Sequence, residues 1–400
     1  MTEFAVLRAP AQVLFGAGMA PATGPIAARF GSRCLVCTDP RIATTPGFAT
    51  VRDALKQSGL RVTVFDSGAV DVPMTTVNAA VSVGRAVEPD VIVAVGGGSV
   101  IDLAKVTALL LSHEGPVERF YPVQSVPGPV LPLIALPTTA GTGSEVTPVS
   151  VITDAATGMK VGVADPHLVP RHAICDPLLT LGAPATVTAH AGIDALAHAI
   201  EAYMSAREQP TPALALERPQ VGKNLLSDGL ALLAARQVSQ HLVRVVEDGS
   251  DLDARSGMLY GSLLAGMAFG TSGVSAAHAL QFAVGAATHT PHGLGTGLLL
   301  PYVMEFNRPV CGAELRELAL AMGCEDAVEH VHELGMRIGL PASLAELGLE
   351  REDLRALAEQ SVGIRRLIDN NPRALDADAI EGILAAAWYG EPSRLSATVT

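Results

Sequence analysis

Charged residues are scarce in this 400-residue chain. Asp, Glu, Lys and Arg make up 17% of it, and the acidic residues outnumber the basic ones to give a formal net charge of −13. The shortage of Lys and Arg excludes a nucleic-acid partner, because nucleic-acid binders concentrate basic side chains around phosphates. Aromatic residues are equally rare, at 4%, yet 49% of the chain is hydrophobic. This supply of aliphatic surface excludes extended disorder, and the length predicts two domains.

Long apolar runs are also missing. Pro, Gly, Asp or Glu interrupts every run well before the roughly 20 residues that a membrane helix needs, and the N-terminal MTEFAVLRAP lacks the pattern of a secretory signal. We therefore expect a soluble protein with no membrane partner. The cysteines are few, odd in number and scattered, which predicts a reducing cytoplasm: Cys34, Cys37, Cys175, Cys311 and Cys324. Cys34 and Cys37 have metal-site spacing, but no second CxxC exists and CLVC is typical of a buried strand.

The first 180 residues alternate β-branched runs with segments of helical periodicity. This alternation predicts an α/β domain with a parallel, doubly wound sheet over residues 1–180. A turn at 154–158 predicts an added hairpin between two further runs. The predicted strands are Cys34–Thr38, Arg61–Phe65, Val91–Val95, Pro132–Leu136, Val149–Thr153 and Lys160–Val163. Beyond about Leu181 the strand patterns stop and Ala/Leu-rich helical patterns follow, so residues 181–400 are predicted to form an all-α domain.

A glycine-rich stretch follows the strand pattern at Val91–Val95. Gly96-Gly97-Gly98-Ser99 allows a tight turn and close approach of a ligand to backbone N–H groups, and a helix N-terminus behind it attracts a diphosphate. Ser99 and Asp102 have the spacing of a capping box. The stretch is neither a dinucleotide fingerprint nor a Walker loop, so a plain strand-to-helix turn is the alternative.

Two further polar segments follow predicted strands. Asp39 comes after Cys34–Thr38, where an acidic group binds the ribose hydroxyls of NAD and repels the 2′-phosphate of NADP; the alternative is that Asp39-Pro40 only opens a turn. The segment 137–147, PTTAGTGSEVT, follows Pro132–Leu136. Its threonine hydroxyls suit phosphate, ribose or carboxamide groups, whereas an ordinary polar loop is the alternative.

The second half contains a candidate metal site. Asp194 and His198 are four residues apart in a helical pattern, so they share one helix face. His278 begins another helix and His292 precedes a glycine turn. One carboxylate and three imidazoles from three elements suit a divalent metal with room for a substrate oxygen. A hydrogen-bonded core histidine is the alternative for each imidazole. His289 is a rival ligand and His190 a weaker one.

Taken together, these motifs resemble the iron-dependent (group III) alcohol dehydrogenase family. GGGSVIDLAK, PTTAGTGSEVT, GIDALAHAIEAY, LLAGMAF and HALQFAVGAATHTPHG occur in the family's order and approximate spacing over residues 10–310. The resemblance implies a Rossmann-like N-terminal domain, an all-helical C-terminal domain, and a cleft that holds NAD(P) and one divalent cation, generally Fe2+. Zn2+ is the alternative ion, since the same ligands bind it more tightly on intrinsic affinity.

Site residues follow from the same resemblance, position by position. Asp194, His198, His278 and His292 match the metal ligands, which act in catalysis through the ion. Asp39 matches the acidic residue that favours NAD over NADP. The remaining positions match nucleotide contacts: Gly97, Gly98, Ser99, Asp102, Thr138, Thr139, Thr142, Thr147 and Lys160. Phe269 and Phe282 are expected to line the substrate pocket, with core packing as the alternative.

One position departs from the family pattern. Many members have a histidine four residues after the third ligand, near the nicotinamide, and this chain has Phe282 there. Proton transfer is therefore expected either through His289 or through water and the ribose hydroxyl. The predicted reaction interconverts an alcohol and an aldehyde or ketone: the ion activates the oxygen, and hydride passes between the carbinol carbon and the nicotinamide.

Three other functions are alternatives. A dehydroquinate synthase-like lyase shares the plan but needs Lys and Arg to bind a carboxylated substrate, and the segments around Asp194–His292 are poor in both. A hydroxyacid–oxoacid transhydrogenase would retain its nicotinamide throughout purification. A catalytically silent NAD-binding module is disfavoured by the four metal-ligand positions. A homodimer is expected from the family alone.

Overall fold

The computed structural model describes residues 4–155, 158 and 160–395, which form two compact units. The first, called here the α/β unit, comprises residues 8–183 together with residues 212–219. The second, the helical unit, comprises the described residues 4–7, 184–211 and 220–395. Each unit has its own secondary structure and is described separately.

A parallel sheet forms the centre of the α/β unit. Six of its strands pair in the order β1-β8-β5-β4-β2-β3, and β6 and β7 form a separate antiparallel hairpin. Every pair in the six-stranded sheet is parallel. The strands are β1 Gln12–Phe15, β2 Arg33–Cys37, β3 Arg61–Phe65, β4 Val91–Gly96, β5 Leu133–Pro137, β6 Val149–Thr153, β7 Lys160–Ala164 and β8 His172–Cys175.

Helices cover both faces of this sheet. They are α1 Thr23–Ala27, α2 Pro46–Gln57, α3 Met74–Val87 and α4 Gly98–Ser112. The α/β unit also contains the short helix α6 Leu214–Glu217. Successive residues of a strand point to opposite faces. On β4, Ile92 and Ala94 accordingly join a core cluster with α3 and α4, whereas Val91, Val93 and Val95 join a second cluster with α1 and α2. The fold class predicted for this part of the chain is confirmed.

The strand order reverses direction at one place. The chain continues from β2 to β3 on one side of the sheet, and from β4 to β5 on the other. The carboxyl ends of β2 and β4 therefore flank a topological switch point, which is where open α/β sheets bind ligands. Asp39 follows β2, and Gly97 follows β4.

The six predicted strands agree with β2 to β7 within one residue at each end. Part of the predicted turn at 154–158 lies outside the described residues. Two strands, β1 and β8, were not predicted; both have only four residues, and they pair with each other along their full length. β8 is buried throughout although it begins with His172.

The described part of the helical unit contains no strand. Its helices are α5 Ala185–Met204, α7 Leu225–Glu247, α8 Leu252–Ser272, α9 Ala276–Thr288, α10 His292–Met322, α11 Ala327–Arg337, α12 Leu354–Val362, α13 Arg365–Ile368 and α14 Ala377–Tyr389. Asn224 and Ser227 form a capping box at the start of α7, and Asp251 caps α8. α10 contains Pro309 and is kinked at Cys311.

The central helix α5 is buried along most of its length and packs against α7, α8 and α10. Ala- and Leu-rich sequence suits such a helix, since it is surrounded by other helices. Within the described residues no single helix is long and apolar enough to span a membrane; α8 and α9, which meet at a 100° bend, reach that length and composition only as a pair.

Candidate active site

The nucleotide-binding candidates lie at the carboxyl edge of the parallel sheet. Helix α4 begins at Gly98, with Gly97 as its N-cap residue. A Cβ atom added at Gly97 would lie 3.3 Å from Thr139 Oγ1, and one added at Gly98 would lie 2.6 Å from Thr142 Cγ2. The GGGS turn and the 137–147 segment therefore pack directly against each other, and glycine is required where they meet. The two motifs form one surface at a helix N-terminus, which suits a diphosphate.

The predicted capping box at Ser99 is wrong. The helix begins two residues earlier than that motif requires, and the N-cap residue makes no side-chain hydrogen bond. The carboxylate of Asp102 instead accepts hydrogen bonds from Ser144 Oγ at 2.6 Å and from the backbone N–H of Val151 at 2.9 Å. The Asp102 carboxylate therefore makes tertiary contacts and does not cap the start of the helix. Asp102 connects α4 to the 137–147 segment and to β6.

A buried lysine supports the same segment. Lys105 Nζ donates to the backbone oxygens of Thr147 and Val149, at 2.9 and 2.7 Å, and to Thr147 Oγ1 at 3.2 Å. Burial lowers the pKa of Lys105 to about 8, although Asp102 and Glu145 partly offset this effect. Sequence reasoning missed Lys105, even though it lies in the GGGSVIDLAK motif. It fixes the segment on which the threonine hydroxyls are displayed.

The other predicted nucleotide contacts have different surroundings. Asp39 is half-buried, and its Oδ1 accepts from the backbone N–H groups of Arg41 and Ile42, both at 2.9 Å, as an Asx turn does. Thr138 Oγ1 is buried and has no hydrogen-bond partner among the described residues. Lys160 begins β7 and pairs with Asp71 at 2.6 Å. Asp39 and Thr138 lie at the sheet edge, whereas Lys160 lies on the hairpin.

The candidate metal centre belongs to the helical unit. Asp194, His278 and His292 each offer one ligand atom, and these atoms lie within 4.8 Å of one another. Asp194 Oδ1 is 3.6 Å from His278 Nε2 and 3.7 Å from His292 Nε2. Ligands about 2.1 Å from a tetrahedral ion are roughly 3.4 Å apart, so this spacing suits an ion. Helices α5, α9 and α10 each supply one of the three side chains.

His198 lies beside this group. Its Nε2 is 3.9 Å from Asp194 Oδ2, across one turn of α5. Its ring stacks on His278, with 4.7 Å between centroids, and on Phe269, with 4.1 Å. The i,i+4 geometry expected from the sequence is therefore present.

The hydrogen bonding of the candidate ligand atoms indicates whether a cation fits among them. Asp194 Oδ1 and His278 Nε2 are buried and have no hydrogen-bond partner in the described part of the chain. Orphaned polar atoms in a core are costly unless something satisfies them. Burial raises the pKa of Asp194 to about 7; His278 opposes this rise and Glu201 adds to it. A divalent cation would satisfy both atoms and favour the ionised carboxylate, so the residues fit a metal.

Close helix packing brings α10 to this position. A Cβ atom at Gly293 would lie 2.1 Å from the backbone oxygen of His190 and 3.0 Å from Asp194 Cβ. A Cβ atom at Gly297 would lie 2.5 Å from Ile193. The glycines of the HGLGTG sequence let α10 approach α5 closely, and His292 at the first position of α10 then faces Asp194.

The residues predicted for the substrate pocket occupy separate places. Phe269 stacks on His198, and the ring of Phe282 lies 6.1 Å from that of His292, so both aromatics border the metal centre. His289 is exposed and ends α9 in a left-handed conformation with φ of 56°.

Sequence reasoning also missed Glu201, a buried carboxylate on α5. It accepts a hydrogen bond from His278 Nδ1 at 2.5 Å. Its spacing was the available signal, because Asp194, His198 and Glu201 fall at i, i+4 and i+7 on one helix face.

Comparisons with known proteins agree with this architecture. Residues 10–177 match the family described as iron-containing alcohol dehydrogenase, and residues 188–388 match the C-terminal part of the Fe-containing alcohol dehydrogenase family. Long-chain-alcohol dehydrogenase 1 of Geobacillus thermodenitrificans (strain NG80-2) is 36% identical over 381 residues, 92% of each chain.

Solved structures give the same result. A 1,3-propanediol oxidoreductase has a TM-score of 0.89 at 30% identity and covers 96% of this chain and 100% of its own. A sulfoacetaldehyde reductase from Bifidobacterium kashiwanohense, solved in complex with NAD+, has a TM-score of 0.84 at 28% identity and covers 97% and 99%. The chain thus has a nucleotide-type sheet edge in the α/β unit and a carboxylate–imidazole cluster in the helical unit.

The chain belongs to the iron-containing alcohol dehydrogenase family. It is therefore an enzyme, an NAD-linked oxidoreductase that interconverts an alcohol and a carbonyl compound. The resemblance and the fold class predicted from the sequence are both confirmed. The comparisons do not favour a transhydrogenase or a lyase.

Proposed function

We propose that Asp194, His198, His278 and His292 bind one divalent cation, Fe2+ or alternatively Zn2+, at which the alcohol or carbonyl substrate reacts. The observation that carries this proposal is the pair of buried, partnerless atoms Asp194 Oδ1 and His278 Nε2, 3.6 Å apart. His292 lies beside them, and His198 reaches the second carboxylate oxygen.

The protein residues have distinct parts in this reaction. When bound, the cation supplies Lewis-acid activation of the substrate oxygen, and the nicotinamide supplies the hydride chemistry. Asp194 would offset one unit of cationic charge, and neutral imidazoles would add none. Electrostatic interactions at Asp194 and His278 are little screened by water, since each residue is 4% exposed.

The coenzyme is proposed to be NAD(H) rather than NADP(H). Gly97, Gly98 and Ser99 would receive the diphosphate at the start of α4, and Asp39 would bind the ribose. The remaining contacts are proposed by position in the family motifs: Asp102, Thr138, Thr139, Thr142, Thr147 and Lys160. Support comes from the packing of the GGGS turn on Thr139 and Thr142, and from the position of Asp39 at the switch point.

The substrate pocket and the proton route are also proposals. Phe269 and Phe282 border the metal centre and would shape the apolar wall against the substrate. His289 would carry the proton, or water and the ribose hydroxyl would do so. A His289→Gln variant separates these routes: a tenfold or larger fall in kcat supports the imidazole, whereas an unchanged kcat supports the water route.

An activity screen tests the proposed function. Metal-stripped protein is reconstituted anaerobically with Fe2+, Zn2+ or Mn2+ and assayed at 340 nm with short and long alcohols, diols and aldehydes, using NAD(H) and NADP(H). The expected result is metal-dependent NAD turnover that Asp194→Ala abolishes while leaving nucleotide binding intact. Full activity after exhaustive chelation would refute the proposal.

We also propose a cytoplasmic location, a domain boundary at about residue 180 and a homodimeric assembly. A cytoplasmic location is supported by the absence of a disulfide among the five cysteines, all of which are free. A division into domains at about residue 180 is supported by the change between the two compact units at residues 183–184. The homodimer stays a prediction from the family, and light scattering on the purified protein measures it.

A further inference from the structure

Glu201 is a buried carboxylate of the helical unit whose two oxygens are both hydrogen-bonded. It lies two turns after Asp194 on α5 and is 2% exposed. Its two oxygens accept four hydrogen bonds, all from the start of α9: Ser275 N at 3.0 Å, Ser275 Oγ at 3.1 Å, Ala277 N at 2.6 Å and His278 Nδ1 at 2.5 Å. A buried carboxylate is tolerated in a core only when its acceptor sites are satisfied in this way.

The contact with His278 decides which ring nitrogen carries the proton. Each carboxylate oxygen of Glu201 already accepts a backbone N–H, Oε2 from Ser275 and Oε1 from Ala277, and backbone N–H groups can only donate. The Ser275 hydroxyl and the His278 ring complete a shell of donors that suits an ionised carboxylate, so His278 Nδ1 is the nitrogen that donates. In the neutral imidazole, Nε2 is then the nitrogen that offers a lone pair. That atom is buried, has no hydrogen-bond partner in the described ranges, and faces Asp194.

The position of Glu201 carries an electrostatic cost that a simple helix cap would avoid. Its charge adds to that of Asp194, and the two carboxylates lie on opposite sides of the His278 ring. An uncharged Ser or Asn would cap α9 without this repulsion. A carboxylate behind a metal-binding imidazole, in contrast, fixes the tautomer and makes the ring a stronger donor.

We infer that Glu201 is a positioning residue of the metal centre, which holds His278 in the Nδ1-protonated form with Nε2 directed at the ion and so raises affinity for a divalent cation. This inference rests on the proposed function, because it assumes that His278 is a ligand. The rival explanation is that Glu201 only ties the N-terminus of α9 to α5. The two explanations predict different metal affinities for a variant that loses a hydrogen bond between Glu201 and the start of α9 but keeps the bond from His278.

Ser275 provides the matched control. Ser275→Ala removes the hydroxyl hydrogen bond to Glu201 but leaves the bond from His278 Nδ1. Glu201→Gln keeps the size of the side chain, yet its amide nitrogen cannot accept, and the charge behind His278 is lost. We therefore compare both variants with the wild type for Zn2+ and Co2+ affinity by chelator competition, and for melting temperature with and without metal.

Glu201→Gln is expected to weaken metal binding by about 10- to 100-fold, the range typical of losing a partner of a ligating histidine. Ser275→Ala is expected to stay within about threefold of the wild type, although both variants lower the melting temperature of the metal-free protein. Wild-type affinity in Glu201→Gln would overturn the inference. Equal losses of affinity in the two variants, in proportion to their lost stability, would also overturn it in favour of the helix-tie explanation.

A second measurement uses the wild-type protein, so it does not depend on whether a variant at position 201 folds. In the Zn2+-loaded wild type with 15N-labelled histidine, the His278 signal should show a proton on Nδ1 and none on Nε2; His278→Asn identifies that signal by its absence. A proton on Nε2 would overturn the inference. Failure of the proposed function is distinguishable, since Asp194→Ala would then retain its metal, whereas failure of this inference alone leaves Asp194→Ala metal-free.

Discussion

Asp194 Oδ1 lies 3.6 Å from Nε2 of His278, although the two residues belong to different helices, and both atoms are buried. Two hydrogen-bonding atoms at that distance would normally be drawn together or separated by water. Here the helices hold them apart at ligand spacing. The packing of α5 against α9 and α10 therefore preorganises the ligand atoms of the proposed metal centre.

His198 is predicted to be the fourth ligand even though its imidazole lies slightly outside the group of three. His198→Ala should weaken Zn2+ binding at least as much as the roughly 10- to 100-fold typical of losing an outer-shell partner, because it removes a donor atom. Chelator competition measures the affinity. His190→Ala, one turn before Asp194 on the same helix, is the control and should bind as the wild type does. Equal affinity in the two variants would remove His198 from the ligand set.

Gly293 is predicted to control the approach of α10 to α5. An alanine methyl there would lie 2.1 Å from the His190 carbonyl oxygen, so α10 must shift and carry His292 away from Asp194. Overpacking of this kind costs about 1–3 kcal/mol. Calorimetry should show a lower melting temperature for Gly293→Ala, and metal affinity should fall.

Gly312→Ala on the same helix provides the control for that substitution. The nearest atom to a Cβ there is Arg316 Nη1 at 3.7 Å, the end of a flexible side chain. This variant should be as stable as the wild type. A stable, metal-replete Gly293→Ala would show that close approach of the helices is not needed for the site.

Asp39 is predicted to set the coenzyme preference. Asn at this position keeps an oxygen to accept from Arg41 and Ile42, so Asp39→Asn removes the charge and retains the turn. Relief of repulsion against a 2′-phosphate, worth about 1–4 kcal/mol at close range, should lower the NAD-to-NADP ratio of kcat/KM at least tenfold. Asp53→Asn on α2 controls for net charge. A wild-type preference for NADP would contradict the role of Asp39.

Glu145 is predicted to make the metal-free protein less stable as pH rises. Burial raises the pKa of this carboxyl from its ordinary 4.5 to about 7, with partial opposition from its own backbone hydrogen bond and from Lys105. Between these values the folded chain binds more protons than the unfolded chain, so raising the pH favours unfolding. The loss is up to about 1.4 kcal/mol per pH unit.

The comparison with Glu145→Gln isolates that contribution. The variant cannot titrate at this position, so its stability relative to the wild type should increase between pH 5 and pH 7 in denaturant titrations with chelator present. Groups that do not interact with Glu145 titrate equally in both proteins and cancel, whereas the pKa of Lys105 falls further in the variant because Glu145 no longer opposes the effect of burial. A stability difference that is constant between pH 5 and pH 7, or one that changes in favour of the wild type as pH rises, would show that the pKa of Glu145 is not raised in the fold.

Local sequence patterns predicted the strands and helices whose own residues indicate that they are buried. Runs such as Val91–Val95 are apolar throughout because both faces of a parallel strand are covered. β1 and β8 are short, and the sequence of β8 begins with a histidine, so only their pairing in the folded sheet identifies them. Ser99 and Asp102 have capping-box spacing, but the Asp102 carboxylate instead accepts hydrogen bonds from Ser144 and Val151, which are distant in sequence.

The candidate metal centre likewise contains residues that the sequence predicts and one that it does not. The spacing of Asp194 and His198 was sufficient to predict a shared helix face. His278 at a helix start and His292 before a glycine completed the candidate set, and the resemblance matched all four to metal ligands. Glu201 was not predicted, since its function depends on the start of α9 and no local pattern reveals that contact. Its place on the Asp194 face was visible, but an acidic residue near a helix end is ordinary in sequence.

Crystallography at a metal absorption edge tests the central claim most directly. The wild-type protein, loaded anaerobically with Fe2+ or Zn2+, should give one strong anomalous peak in the helical unit. That peak should lie about 2.0–2.2 Å from an Asp194 oxygen and from a ring nitrogen of His198, His278 and His292. A peak elsewhere, or none at these four side chains in fully active protein, would contradict the account.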